Sequence, residues 1–438
     1  MSNISLEKHL LKEPKTAKQL MQALQISPQS LYRLLNASHQ KILKIGKARA
    51  MRYAHKRPIR NLGQEWPVYR VNEQADVHLA GQLVAIYPHH FVWRDALTVS
   101  DTIYDSLPWF LWDVRPQGFM GRAFNQEHQD LSLPVRLEDW SDDDVMAALL
   151  RDSSVLASHW LIGEASHIDF DHERQWVLSL ISGDRASLRT TYLFHVNSTI
   201  KQEAPTSTAA GMQPKFGLLI KEKNQVVELL IKFSPPINTA NGQRWSDLLI
   251  SEHIALQTLK SYGVATAESD IVQTGGRTFL EVVRFDRASC LGRRGMVSLE
   301  AVSNEFIGHK KDWDEQASSL LALKKISQHD YQTIIQVFAF GRLIANEDMH
   351  NGNVSFFLAN DFSLSLAPVY DMLPMRFAPT THGEVVERAI KIAQPTPLTQ
   401  VIWPMAWRWA KTYWQKVSND VRISESFRAI AQQYVANI

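Results

Sequence analysis

The sequence predicts an α+β protein with a small basic helical head, residues 1–63, and a bilobal body. Three observations lead there. From Pro14 to Gln64 there is no Asp or Glu, but there are eleven Lys and Arg. Between about residue 206 and Arg287, alternating apolar segments with hairpin signals surround one long amphipathic helix. Beyond that the pattern is mainly helical, broken by a polar stretch, NEDMHNGN, at 346–353.

At 438 residues the chain exceeds one compact core and suits two or three domains. Its only cysteine is Cys290, which excludes an intrachain disulfide and a cysteine-built zinc site. The start, MSNISLEKHLLKEPKT, has no apolar core of a secretory signal. No apolar run approaches the ~20 residues that span a bilayer, so no membrane partner and a cytoplasmic location are expected. The net charge of +2 hides an asymmetry: residues 1–60 carry thirteen Lys and Arg against Glu7 and Glu13, a net of +11, leaving −9 for the rest. A basic head on an acidic body suggests a nucleic-acid-facing module.

In the head, Thr16 is a candidate N-cap with Gln19 as its capping-box partner. Leu20, Met21 and Leu24 share one helical face. Ser27 and Pro28 open a second helix with Leu31, Leu34 and Leu35 inward. ILKIGKARAMRYAHKRP then reads as two short strands turned at Gly46-Lys47. Helix, tight turn, helix and basic hairpin predict a winged helix-turn-helix. Gln29, Ser30, Tyr32 and Arg33 would face the major groove, and Lys47, Arg49, Arg52, Lys56 and Arg57 the phosphates. A protein-interaction role for the same module is the alternative.

Residues 64–200 predict a mixed α/β subdomain. DVHLAGQLVAIY and HHFVWRDALTVS read as strands, DSLPWFLWDVRPQGFMGRAF as a packed loop, and EDWSDDDVMAALLRDSS as an acid-fronted helix. Trp109, Trp112 and Trp160 are expected in packing.

Residues 201–288 predict a kinase-type small lobe, and 289–438 a helical large lobe. TSTAAGMQPK is a small-residue loop suited to close approach of backbone amides to phosphates. A strand follows, then a second with Lys232 near its end, then a helix with Glu252 at mid-length, then a hairpin turned at Gly275-Gly276. A strand lysine can hold nucleotide phosphates, and a helix glutamate can aim it. EVVRFDR would be the hinge, with backbone at Val283 and Phe285 bonding adenine. In the large lobe, Asp348 precedes Asn353 by five positions, and Asp371 follows a strand pair turned near Asn360-Asp361. That spacing suits a catalytic Asp, Asp348, with Asn353 and Asp371 as oxygen ligands for Mg²⁺. His350 is expected to scaffold this loop.

Taken together, STAAGMQPK, LLIKF, VVRFDR and NEDMHNGN…APVYD resemble the HipA family of bacterial toxin Ser/Thr kinases, over roughly residues 65–438. The resemblance implies a bilobal HipA-like fold, ATP and Mg²⁺, and growth arrest by phosphorylating a protein, often an aminoacyl-tRNA synthetase. It places Thr208, Gly211, Gln213, Lys215, Lys232 and His350 at the nucleotide. It makes Thr208, with Ser207 second, the autophosphorylation site. Typical members depend on a separate DNA-binding antitoxin, an expected partner. This chain's own basic head instead resembles the YjjJ (HipH) branch, and Pro214 stands where many relatives carry an acid. Two other readings stay open: a transcriptional regulator with a nucleotide-sensing pseudokinase body, and a metal-dependent DNA-damaging enzyme.

Overall fold

A computed structural model describes residues 3–116, 118–151, 159–180, 184–202, 214–222, 225–288, 291–308 and 312–438. The chain forms two compact units, Met1–Gln175 and Trp176–Ile438.

The first unit opens with α1 (Asn3–Leu10), β1 (Lys15–Thr16), α2 (Ala17–Leu24), α3 (Pro28–Ala37), β2 (Ile42–Ile45) and β3 (Arg52–His55). The capping box forms as expected: the Gln19 amide donates to Thr16 Oγ1 at 3.3 Å, and the Thr16 amide to Gln19 Oε1 at 2.8 Å. Gln25, at φ 54°, closes α2 in the left-handed region, and Ser27 caps α3 two residues later. Neither α1 nor β1 was expected. Leu6 and Leu10 of α1 complete the core made by Leu20, Leu24, Leu31, Leu35 and Ile42. Two-residue β1 is too short to leave a periodic signal; it pairs with β3, giving the antiparallel order β1-β3-β2. This order of elements is the one expected of a winged helix-turn-helix.

The unit continues with β4 (Glu65–Val71), β5 (Val77–Ile86), β6 (His90–Asp95), β7 (Asp101–Tyr104), α4 (Gly118–Glu127), α5 (Asp142–Arg151), β8 (Trp160–Ile162) and α6 (Glu164–Leu180), the last reaching past the division between the units. The strands form one antiparallel sheet in the order β7-β6-β5-β4-β8. The stretch expected as a packed loop is a 3₁₀ turn at Trp109–Val114 followed by α4. Burial of Trp109, Phe110, Leu111 and Val114 favours a tight local coil there.

Packing crosses the expected boundary at residue 63. Leu43, Ile45 and Ala54 of the β2-β3 hairpin share a core with Val84, Ile86 and Val92 of the middle sheet. The Arg57 amide donates to Ala85 O at 2.8 Å, and the Tyr87 amide to His55 O at 3.0 Å. A hairpin with one apolar face must cover it, and the sheet does so.

That junction also removes two of the expected phosphate contacts. Arg57 is buried and donates to Asp143 Oδ2 at 2.5 Å, in the acidic first turn of α5. Lys56 lies 3.1 Å from Glu65. Gln29, Ser30, Tyr32, Arg33, Lys47 and Arg52 are exposed, as a nucleic-acid face requires; the Arg49 side chain is outside the described residues.

The second unit contains α7 (Arg185–Arg189), α8 (Tyr192–Gln202), β9 (Lys215–Glu222), β10 (Gln225–Phe233), α9 (Ala240–Ser261), β11 (Ser269–Thr274) and β12 (Arg277–Val283). Then come β13 (Arg287–Ala288), β14 (Gly292–Arg293), β15 (Met296–Ser298), α10 (Leu299–Phe306), α11 (Trp313–Ala322), α12 (Gln328–Leu343), β16 (Ser355–Leu358), β17 (Leu364–Leu366), α13 (Trp403–Asn419) and α14 (Glu425–Asn437). The small lobe is an antiparallel sheet in the order β11-β12-β10-β9. Strand alternation sorts its residues. Leu229, Ile231, Phe233 and Phe279 face Tyr192 and Val196 of α8, whereas Leu280 and Val282 face Leu249 of α9. The expected break at residue 200 therefore moves upstream. Glu281 accepts from Tyr192 Oη at 2.7 Å and from Arg189 Nε at 2.7 Å, tying α7 and α8 to this sheet.

Leu43→Ala should cost about 2–5 kcal/mol, as for other buried leucines, and lower the single melting transition of residues 1–175 seen by circular dichroism. Residues 1–63 alone, with that apolar face uncovered, should show no cooperative melt.

Candidate active site

Lys232 lies on the α9 side of β10, because it alternates with Ile231 and Phe233. Thr239 caps α9, its Oγ1 accepting from the Gly242 amide at 3.0 Å, and the helix runs 22 residues to a stop at Gly263, φ 83°. Glu252 is thereby delivered to Lys232. The ammonium donates to Glu252 Oε1 at 2.8 Å and Oε2 at 3.0 Å, and it also donates to Asp371 Oδ1. Lys232 and Glu252 are buried, while the Asp371 side chain keeps 30% of its exposure. Sequence separations of 20 and 139 residues collapse onto one ammonium group.

The charges respond to this crowding. Burial opposes the charge on Lys232, but Asp371 and Glu252 outweigh it and raise the ammonium above its usual range. Burial also opposes the Asp371 carboxylate, yet Lys232 and Lys215 hold it down at about 2. Burial pushes Glu252 up, against the pull of Lys232. Lys215 stands directly opposite Lys232 across β9 and β10. Burial and the Lys232 charge drive its ammonium below the usual range, while Asp371 pulls the other way. Two desolvated lysines facing each other repel unless anions lie between them.

Asp348 stands on a loop held from several sides. Its amide donates to Asn346 Oδ1 at 3.1 Å, and Asn353 Nδ2 donates to the Asp348 carbonyl at 2.9 Å. That second bond turns Asn353 into the closing staple of the loop and leaves its Oδ1 outside that bond. His350 caps the 3₁₀ turn Asn351–Asn353, its Nδ1 accepting from the Gly352 amide at 3.1 Å. Trp313 Nε1 donates to His350 O at 3.2 Å, and Gln316 Nε2 to Asn351 Oδ1 at 2.7 Å. Tyr370 Oη bonds Ser355 Oγ at 2.6 Å and Gly352 O at 2.7 Å, joining the Asp371 segment to the loop. Asp371 itself has φ 53°, a left-handed conformation that aspartate tolerates better than most residues. Burial raises the Asp348 carboxyl, His350 lowers it, and the Asp371 charge raises it, so the two aspartates lie within electrostatic reach.

Lys232, Glu252, Asp348, His350, Asn353, Asp371 and Lys215 thus come together. Thr208, Ser207, Gly211 and Gln213 lie outside the described residues. At the expected hinge, the Val283 amide donates to Glu268 O at 2.8 Å, so that N–H is not available to a base. The Phe285 ring packs against Tyr370, with centroids 5.7 Å apart. Sequence reasoning missed Asn346, Tyr370, Trp313, Gln316 and Arg376. Two of them left a signal: Asn346, two positions before the candidate catalytic Asp, and Tyr370, the Tyr immediately before Asp371 in APVYD. Arg376 pairs with Glu347 at 2.6 Å, next to Asp348.

A strand lysine paired to a helix glutamate and to an Asp beyond β17, near a loop Asp and Asn, is an arrangement of the kind that kinases use. Comparison with known proteins agrees in kind. Residues 62–170 match the family model described as YjjJ-like toxin, middle domain, and residues 207–438 match the HipA-like C-terminal domain. The chain is 36% identical over 428 residues to Toxin YjjJ of Escherichia coli K12, spanning 97% of this chain and 95% of that one. It belongs to the YjjJ-like toxins, with the bilobal HipA-like C-terminal fold. Among solved structures it is similar to the HipA, HipB and operator DNA complex of Shewanella oneidensis MR-1: 15% identity, 84% of this chain, 95% of that one, TM-score 0.45. It is also similar to the Helicobacter pylori proinflammatory kinase CtkA: 14% identity, 50% of this chain, 89% of that one, TM-score 0.33. Among the described residues no helix is long and apolar enough to cross a membrane, and no three His, Cys, Asp or Glu side chains converge as a metal cluster.

In the ligand-free protein the Asp348 carboxyl should titrate above 3.8, its ordinary value. Carbon-13 NMR should show that value falling in Asp371→Asn, which removes a neighbouring negative charge. Asp371 has the opposite sign: its stabilising contribution is present above 3.8 and disappears as pH falls toward about 2.

Proposed function

We propose that this chain is an ATP- and Mg²⁺-dependent protein serine/threonine kinase, acting as a growth-arresting toxin, with a DNA-binding face on its head. The observation that carries the reading is the convergence of Lys232, Glu252 and Asp371 beside the Asp348–Asn353 loop. Glu252 aims Lys232, and the opposed pair Lys232 and Lys215 supplies positive charge for nucleotide phosphates. Asp371 and Asn353 Oδ1 are hard oxygen donors on a strand end and a loop, a set that fits Mg²⁺ with water and phosphate oxygens completing the shell. Bound there, the cation would neutralise charge on the transferring phosphoryl group. Asp348, exposed toward solvent, would orient a serine or threonine hydroxyl and accept its proton as the phosphoryl bond forms. His350 keeps the loop's turn closed. Autophosphorylation at Thr208 or Ser207, as in the wider family, is part of the proposal.

Labelled ATP, Mg²⁺ and cell extract provide the test. Asp348→Ala should lower transfer by about 10²–10⁴-fold with Mg-ATP binding intact. Asp371→Ala should abolish transfer and weaken Mg-ATP binding. Wild-type transfer in either variant would end the kinase reading.

The DNA reading rests on the exposure of Gln29, Ser30, Tyr32, Arg33, Lys47 and Arg52 on one small module. Binding of duplex DNA by the full chain should weaken steeply with salt. Four phosphate contacts give a log–log slope of about −3.6. Charge reversal at Arg33, Lys47 and Arg52 should flatten it. Salt-independent binding would assign the head to protein contacts instead.

A further inference from the structure

Between Glu384 and Thr396 the chain runs thirteen residues without a helix, strand, turn or bend. Among the described residues, none of the ten amides from Val385 to Gln394 donates to a protein acceptor. A compact domain rarely leaves so long a stretch of backbone unpaired, because other chains can pair with it.

The segment is nonetheless fixed. Arg376 donates to Ala389 O through Nε at 3.2 Å and Nη2 at 3.1 Å, and Tyr434 Oη donates to Lys391 O at 3.4 Å. At its end, Thr396 Oγ1 donates to Asp314 Oδ2 at 2.5 Å. These anchors also hold the catalytic loop. Arg376 pairs with Glu347 at 2.6 Å, and its amide donates to Ala345 O at 3.0 Å. Trp313, next to Asp314, donates to His350 O at 3.2 Å. The stretch from Ala389 to Thr396 is therefore tethered to the 347–350 loop at both ends, on either side of Asp348.

In extended backbone, alternate residues turn their N–H and C=O to opposite sides. Ala389 and Lys391 turn inward to Arg376 and Tyr434. Were the segment to pair as a strand, Arg388, Ile390 and Ile392 would turn their amides outward, away from Arg376 and Tyr434.

We propose that residues 385–394 are the substrate-docking edge. An extended segment of the protein substrate would pair with them as an added strand and bring its hydroxyl to Asp348. Main-chain bonds give affinity with little dependence on sequence, and register decides which hydroxyl is presented. This rests on the kinase reading of the site.

The test uses the full chain, labelled ATP, and a degenerate peptide library centred on serine or threonine, beside a matched library N-methylated at alternate residues. Wild type should phosphorylate the first and not the second. Ile390→Pro, which deletes an outward amide, should raise KM for the library by about tenfold, the loss expected for one or two main-chain bonds, with kcat and ATP binding unchanged. Hydrogen exchange in the unmutated chain gives a second readout: adding a selected peptide should slow the amides of Arg388, Ile390 and Ile392 and leave Ala389 and Lys391 fast. Transfer indifferent to N-methylation, or exchange unchanged across 385–394, overturns the docking edge while the kinase reading stands. A concentration-dependent dimer that protects the same amides without peptide overturns it in favour of self-pairing. Wild type that phosphorylates neither the library nor any extract protein removes the kinase reading and this inference together.

Discussion

The buried ammonium of Lys232 is the interaction on which the second unit depends. It reaches Glu252 on α9 and Asp371 at the strand end, so three distant parts of the chain are held by one positive charge. Removing one partner of a buried ion pair costs more than the pair contributes, because the other charge stays desolvated. The surroundings are negative in excess: Glu252 is pushed up by burial and Asp348 feels Asp371. That charge crowding is what the proposed Mg²⁺ and nucleotide site would draw on.

The small lobe and the Asp371 segment are joined by more than that charge. The Val369 amide donates to Ala265 O at 2.9 Å, and the Ala267 amide to Val369 O at 2.9 Å, so the chain leaving α9 runs parallel to the segment that carries Asp371. Tyr370 then bonds back to Gly352. A shift of α9 would therefore be felt by Glu252, by Asp371 and by the loop. Gly341 adds a steric constraint: a Cβ there would come within 2.7 Å of the Met349 side chain, so the end of α12 and the 347–350 loop are packed with no room for a methyl group.

The first unit shows a different economy. Its basic run is not uniformly a surface. Where it meets the middle sheet it is neutralised by Asp143, Asp144 and Glu65. Exposed cations remain on α3 and the β2-β3 hairpin, and also at Lys8, Lys12 and Lys18.

Much of this was legible in the sequence because its signals are local. Capping residues fixed α2 and α3, period-two alternation fixed β9 to β12, and the five-residue spacing of Asp348 and Asn353, with Asp371 following, pointed to the candidate site. Glycines at 263, 275 and 276 marked the stops and turns where left-handed backbone is needed. What the tertiary structure alone decided are relations between distant residues. No local pattern says that Arg57 will meet Asp143, that Val283 will spend its amide on Glu268, or that Tyr192 will reach Glu281. Nor could periodicity identify residues 385–394, because a segment with no strand partner among the described residues has no pattern to display. Local propensity is written in neighbouring residues. Pairing, burial and charge balance exist only once the chain has closed on itself.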